Sequence, residues 1–78
     1  MKVTEYFVSV MQREDRAGIR VEWIEQVVKY PEEAHIQADG RLRLWRRIPE
    51  ADDRYLRVIL LPDGETVHNA FFDRSFRP

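Results

Sequence analysis

The chain contains no cysteine, and this absence limits what can stabilise it. Neither a disulfide framework nor a thiolate metal site is available, and a reducing compartment is tolerated. With 78 residues the chain forms one domain with a small hydrophobic core. No histidine or carboxylate pair stands at a recognisable metal-ligand spacing, so we expect no bound metal and no other cofactor.

Long apolar runs are also absent. No segment approaches the ~20 apolar residues of a membrane-spanning helix or the apolar region of a signal peptide. We therefore expect a cytoplasmic protein that does not enter a membrane. Glycine and proline are scarce, at three and four residues, while 35% of the residues are charged and 44% are hydrophobic. This composition is typical of a globular chain and not of a disordered one.

The formal net charge is only −1, but the two halves of the chain differ in sign. Residues 1–40 carry five Lys or Arg and eight Asp or Glu, a net −3, and residues 41–78 carry eight and six, a net +2. This asymmetry predicts one polarised domain, in which a helical layer carries the acidic residues and a sheet carries the arginines.

Apolar residues in the first part of the chain recur at helical spacing: Val3, Phe7, Val10 and Met11. They predict a first helix, after which Gly18 would take a left-handed cap conformation. A strand over residues 2–10 stays open as the alternative, because "KVTEYFVSV" is also alternating and β-branched. A second helix runs from Arg20, as its N-cap, to Pro31, with Ile19 packing on Ile24 as a hydrophobic staple.

From residue 34 the apolar pattern alternates, which is typical of antiparallel strands. The strand segments are "AHIQA", "RLRLWRRI", "RYLRVILL" and "TVHNAFF". A three-residue loop with Gly40 in a left-handed bulge pairs Ile36 with Leu42 and buries both, whereas a two-residue turn pairs Ile36 with Arg43. The face on which the last strand places His68 is left open by the pattern.

Together these elements predict an α+β fold, in which two N-terminal helices pack on one face of a three- to four-stranded antiparallel meander sheet. The single domain 1–78 then consists of a helical layer over residues 3–31, a sheet over residues 34–73 and a short C-terminal tail, residues 74–78.

The order of short motifs resembles a known family. "DRAGI", a helix ending at "YPEEA", "IQADGRLRLWRRI" and "RYLRVILLPDGETVHNAFF" follow one another as in the small BrnT-like and RelE-like toxin superfamily, over residues 5–73. Two positions depart from it: Tyr6 stands where relatives often have an early histidine, and Ala17 replaces the arginine before glycine. The resemblance implies a bacterial toxin-antitoxin protein, with RNA and a small antitoxin protein as partners.

Strand parity supplies an independent reason to consider RNA. Guanidinium forks bind phosphates, and aromatic side chains stack on unpaired bases. One face of the second strand and its neighbour are predicted to form a basic, aromatic RNA-binding strip of Arg41, Arg43, Trp45, Arg47 and Tyr55.

Metal-independent RNA cleavage requires a base for the ribose 2′-hydroxyl and cations for the charge that develops on phosphorus. His68 is the candidate catalytic base, because its side chain titrates near neutrality. Arg57 and Arg74 are the candidate charge-stabilising residues.

The last eight residues, "FFDRSFRP", contain three phenylalanines. Either this tail folds back on the domain or it forms a dimer or partner interface, with Phe76 and Arg77 as anchors. Two functions therefore stay open: an RNA-binding or RNA-cleaving toxin-like domain, and a non-catalytic domain of the same fold that binds a protein partner or itself.

Overall fold

The computed structural model describes all residues, 1–78, as an α+β fold, and the predicted class is confirmed. The helices are α1 (Glu5–Val10) and α2 (Val21–Lys29), and single 3₁₀ turns lie at Glu14–Arg16 and Pro49–Ala51. The strands are β1 (Glu33–Ile36), β2 (Leu42–Ile48), β3 (Arg54–Leu60) and β4 (Val67–Phe72). They form one antiparallel sheet in chain order. Neither helix has the length and apolar character needed to cross a membrane.

Helix α1 resolves the ambiguity at the N-terminus. Thr4 is its N-cap, and the Thr4 hydroxyl accepts a hydrogen bond from the Phe7 amide at 3.0 Å. The residues just before the helix are extended, and Val3 forms a parallel bridge with Val67. The segment that reads as both helix and strand is therefore a short edge pairing followed by a helix.

The prediction of a left-handed cap at Gly18 is wrong. Among the glycines only Gly40 and Gly64 have positive φ. Helix α1 ends at Val10 with Met11 in a right-handed conformation, and the 3₁₀ turn at Glu14–Arg16 lies between this helix end and Gly18. Gly18 is therefore too far along the chain to cap the helix.

Helix α2 begins as the sequence predicts. Arg20 is the N-cap, and its side chain caps no backbone amide; the guanidinium donates instead to Glu22 at 3.0 Å. Ile19 and Ile24 are both buried in the same hydrophobic cluster, in agreement with the predicted staple. The helix ends at Lys29, two residues before Pro31.

The β1–β2 loop confirms the predicted register. Gly40 has φ of 90°, and Ile36 pairs with Leu42 while Ala34 pairs with Leu44. The reason given for this register is wrong, however, because Ile36 is 77% exposed. Turn geometry at Gly40, and not burial of Ile36, therefore sets the pairing.

Strand β4 contains a bulge that the alternation of the sequence did not reveal. Ile59 pairs with Asn69 and Leu60 pairs with Val67, so His68 is an extra residue opposite β3. Val67 and Ala70 are both fully buried as a result, although they are three residues apart. A bulge re-aims side chains locally, and here the re-aimed residue is His68.

One hydrophobic cluster joins both helices to three of the strands. Its largest fully buried side chains come from α2 and from β2, β3 and β4: Ile24, Val27, Ile48, Leu56, Val58 and Val67. Strand β1 contributes no buried residue. The opposite sheet face carries the arginines predicted from parity, and we call it the arginine face.

Candidate functional site

The arginine face is built from three cross-strand rows. Trp45 lies opposite Arg57, which lies opposite Phe71; Arg43 lies opposite Ile59, which lies opposite Asn69. At one end, Arg47 lies opposite Tyr55. Directly opposed residues of an antiparallel pair point to the same face of the sheet. The residues that alternation along the strands assigned to one face therefore do lie on one face.

The C-terminal tail covers one end of this face. The carboxylate of Asp73 accepts a hydrogen bond from the Trp45 indole at 3.0 Å and lies 3.4 Å from the Arg57 guanidinium. The Phe76 ring stacks on the Trp45 ring at a centroid distance of 4.8 Å and lies 5.0 Å from Tyr55. Trp45 is consequently only 4% exposed.

The expectation that Trp45 offers a free platform for bases is therefore wrong in this conformation. Phe76 lies on the indole, His35 meets its ring at 5.1 Å, and Arg57 lies 5.5 Å from it. The sequence assigned Trp45 to the face that carries the arginines, as observed, but the C-terminal tail covers the indole. Phe76 packs inward, while Arg77 stays exposed and donates to the carbonyls of Arg74 and Phe76.

Asp73 holds the tail in place. Burial raises the pKa of this carboxyl, but it is outweighed by hydrogen bonds from Ser75 and Trp45 and by the charge of Arg57, which lower the pKa of Asp73 to about 2. Its side chain is 7% exposed. Asp73 is therefore ionised at any physiological pH and forms an ion pair with Arg57, so the Arg57 charge is neutralised beneath the tail, while Arg77 of the tail stays exposed.

The other end of the face is uncovered and centres on His68. The Thr4 hydroxyl lies 3.0 Å from His68 Nδ1, and the Tyr6 ring stacks on the imidazole at 4.7 Å. Burial and, second, the nearby charge of Arg41 lower the pKa of His68 below its usual 6.5. We call Thr4, Tyr6, Arg41 and His68 the His68 cluster.

Local structure positions each member of this cluster. Thr4 is held by the α1 cap and by its backbone amide, which donates to the Val67 carbonyl at 3.1 Å. Tyr6 projects from the first turn of α1, and the bulge in β4 turns His68 toward both. The imidazole is thus neutral at neutral pH and fixed through Nδ1.

The arginines of the face differ in their partners. Arg41 is 3.7 Å from Asp39, and Arg47 is 2.8 Å from Asp53; both pairs are exposed. Arg43 forms no salt bridge, and its Nε atom is buried without a hydrogen-bond partner. Arg43 also lines a shallow cavity of about 340 Å³ between β1 and the tail, together with His35, Arg57 and Arg77.

The predicted catalytic residues do not meet. His68 lies near the start of β4 and Arg74 follows its end, six residues away, or about 20 Å along an extended strand. Arg57 is bound to Asp73, and no hydrogen bond joins it to His68. Sequence reasoning missed Thr4 and linked Arg41 only to RNA binding, because their proximity to His68 depends on the N-terminal edge pairing and the bulge. No group of three His, Asp or Glu side chains is placed to hold a metal ion.

No family model, no curated protein and no solved structure matches this chain.

Proposed function

We propose that the protein binds single-stranded RNA at the uncovered end of the arginine face and cleaves it with His68 as the general base. The observation that carries this proposal is the His68 cluster, in which a neutral imidazole, a guanidinium and an exposed phenol meet at a bulge beside a sheet face. A titratable group whose pKa is shifted by burial and by a neighbouring charge is a candidate functional residue.

The chemistry needs a specific tautomer. If His68 Nδ1 carries the proton, it donates to the Thr4 hydroxyl oxygen, which can accept this bond in addition to the Phe7 amide. The lone pair on Nε2 is then free to accept the proton of a ribose 2′-hydroxyl. The 2′-oxygen bonds to phosphorus, the bond from phosphorus to the 5′-oxygen breaks, and water supplies a proton to the leaving oxygen.

Arg41 is the candidate for stabilising the charge on phosphorus. Its pair with Asp39 is exposed and long, so exchanging that carboxylate for a phosphate costs at most about 1 kcal/mol. Arg43 offers a second guanidinium without an acidic partner. With a net charge of −1, binding relies on these local contacts and not on long-range attraction.

A role as a bacterial toxin paired with a small antitoxin, which the RelE-like and BrnT-like resemblance implies, belongs to the same proposal. Growth arrest on expression of the wild-type chain, relieved by His68→Ala, is the result expected of it.

In vitro, end-labelled single-stranded RNA should be cleaved by the wild type to products ending in a cyclic phosphate, and the same strand made of DNA should stay intact. His68→Ala should abolish cleavage. His35→Ala is the matched control, because His35 is the only other histidine and should leave cleavage unchanged. Equal cleavage by wild type and His68→Ala would reject the catalytic part of the proposal.

The second candidate function is the non-catalytic domain that binds a protein or itself. The observation that favours it is the exposed edge of β1, where Ala34, His35 and Ile36 are all exposed.

A further inference from the structure

The two edges of the sheet are protected very differently. The β4 edge is occupied by the N-terminal segment: the Val67 amide donates to the Lys2 carbonyl at 2.9 Å, and the Val67 carbonyl accepts from Thr4. Farther along the same edge, Arg16 Nε donates to the Ala70 carbonyl at 2.9 Å. Nothing comparable covers β1, so its edge is available to another strand.

The unpaired backbone groups of β1 can be assigned. The Gln37 amide donates to the Arg41 carbonyl at 2.7 Å, which marks these residues as a hydrogen-bonded pair. Because such pairs alternate along an antiparallel ladder, His35 and Glu33 also point their backbone groups at β2. Ala34 and Ile36 therefore direct their amides and carbonyls outward. No loop, cap or side-chain hydrogen bond of the chain reaches either residue.

Large apolar side chains along this edge are also exposed to solvent. Ile36 is 77% exposed, the highest value among the large hydrophobic residues. Tyr30, which caps the end of α2, is 59% exposed. Its carbonyl accepts a hydrogen bond from Arg46, a residue that shares the core-side parity of Leu44 on β2, so Tyr30 lies on the same side of the sheet as Ala34 and Ile36.

We propose that β1 pairs with β1 of a second copy of this chain, antiparallel and about a twofold axis at His35, to form a continuous eight-stranded sheet. This proposal is independent of the proposed RNA function. In this register Ala34 of each copy lies opposite Ile36 of the other, and their outward amides and carbonyls form reciprocal hydrogen bonds.

Three registers would join the outward-facing residues: Ala34 with Ile36, Ile36 with itself, and Ala34 with itself. The charges and the apolar side chains favour the first. Pairing Ile36 with itself would place Glu33 opposite Asp39 of the second copy, two carboxylates in direct opposition. Pairing Ala34 with itself would place Ile36 opposite Glu32. The register centred on His35 instead places Glu33 opposite Gln37, with no acidic pair and with apolar residues opposed.

The same register covers the exposed apolar side chains. Opposed residues share a face, so Ile36 of the second copy lies over Ala34 on the core side of the sheet, on the side where Tyr30 is exposed. A domain of 78 residues has a small core, and burial at such a junction adds to it in both copies. The contact is short, four residues of strand on each side, so we expect a concentration-dependent dimer.

Sedimentation velocity tests this from about 1 µM to about 500 µM, the range in which a small interface dissociates. The wild-type mass should rise from 9.4 kDa toward twice that value. Ile36→Lys places on this edge a charge of the kind that protects natural edge strands, and the variant should stay monomeric at every concentration in this range. Val8→Lys is the matched control: Val8 is 50% exposed on α1, beside the opposite edge, and this variant should dimerise as the wild type does.

Amide hydrogen exchange of the unmodified chain gives a second readout that does not depend on the fold of a variant. The Ala34 and Ile36 amides should exchange rapidly at low concentration and become protected at high concentration, while His35 is protected at both. A wild type that stays monomeric at the highest concentration would overturn the proposal. So would a dimer in which Ala34 and Ile36 stay unprotected.

Discussion

The indole N–H of Trp45 donates to the carboxylate of Asp73 at 3.0 Å, and this bond fastens the C-terminal tail to the middle of the sheet. Because Arg57 shares the same carboxylate, one residue both holds the tail and neutralises Arg57 beneath it. The uncovered end keeps Arg41 and His68, and Arg43 lies between the two ends, where it lines the cavity beside Arg77. The division of the face into a closed aromatic end and an open basic end thus follows from the tail.

Asp73→Ala should release the tail. Removing the acceptor breaks the charge-assisted hydrogen bond from the Trp45 N–H, which costs about 1.5–3 kcal/mol of folding free energy. In a Trp23→Phe background, in which Trp45 is the only tryptophan, its fluorescence should shift to the red and become accessible to acrylamide. Asp53→Asn removes an exposed charge paired with Arg47 and keeps a residue that tolerates the left-handed backbone there, so it should cost less than about 1 kcal/mol and leave the emission unchanged. Identical spectra for both variants would contradict the tail assignment.

The fold was predictable from the sequence where a few neighbouring residues determine the local structure. Gly40 after Asp39 predicts a left-handed loop residue, and because Asp39 itself does not have positive φ, the loop is not the two-residue turn that would shift the β1–β2 register. Burial of Trp45 was not predictable, because parity assigns a face and says nothing about a tail that returns over it. The bulge at His68 was hidden for a similar reason: one inserted residue changes the face of its neighbours without changing the composition of the strand.

Thr4→Val should disturb His68 without removing it. The variant loses both the N-cap bond to Phe7 and the contact with His68 Nδ1, and capping alone accounts for about 1 kcal/mol. Nitrogen chemical shifts of the imidazole should change from one dominant tautomer to a mixture. Thr4→Ser keeps a hydroxyl and should restore the wild-type shifts. If Thr4→Val alters stability but leaves these shifts unchanged, Thr4 does not position His68.

Stability should depend on pH through His68. Burial and Arg41 lower its pKa in the folded state, so the unfolded chain binds more protons as the pH falls through 6.5. Stability is then fully present above 6.5 and declines below it, until the pH falls beneath the folded-state pKa. Chemical denaturation between about pH 5 and about pH 8 should show this decline in the wild type and a weaker one in His68→Gln. A decline of equal size in both would assign it to another group.

Arg20→Asp should raise stability. Arg20 is the N-cap of α2, but its side chain has no hydrogen-bond acceptor. An aspartate there can accept a hydrogen bond from a backbone amide of the first turn, and its negative charge interacts favourably with the positive end of the helix dipole. The gain of about 1 kcal/mol corresponds to a rise in melting temperature of about 4–8 °C for a domain of this size. Lys29→Asp makes the same charge change at the other end of α2 and should lower the melting temperature. A rise in both, or in neither, would count against the cap.

Chemical-shift mapping with a short single-stranded RNA shows whether RNA binds at the uncovered end of the arginine face, because it reports every site on the face at once. The largest changes should fall on Arg41, Arg43, His68 and Asn69, while the resonance of the Trp45 indole N–H, which Asp73 holds, should not move. Changes confined to the tail and the Trp45 indole, or no changes at all with RNA in excess, would contradict binding at this end.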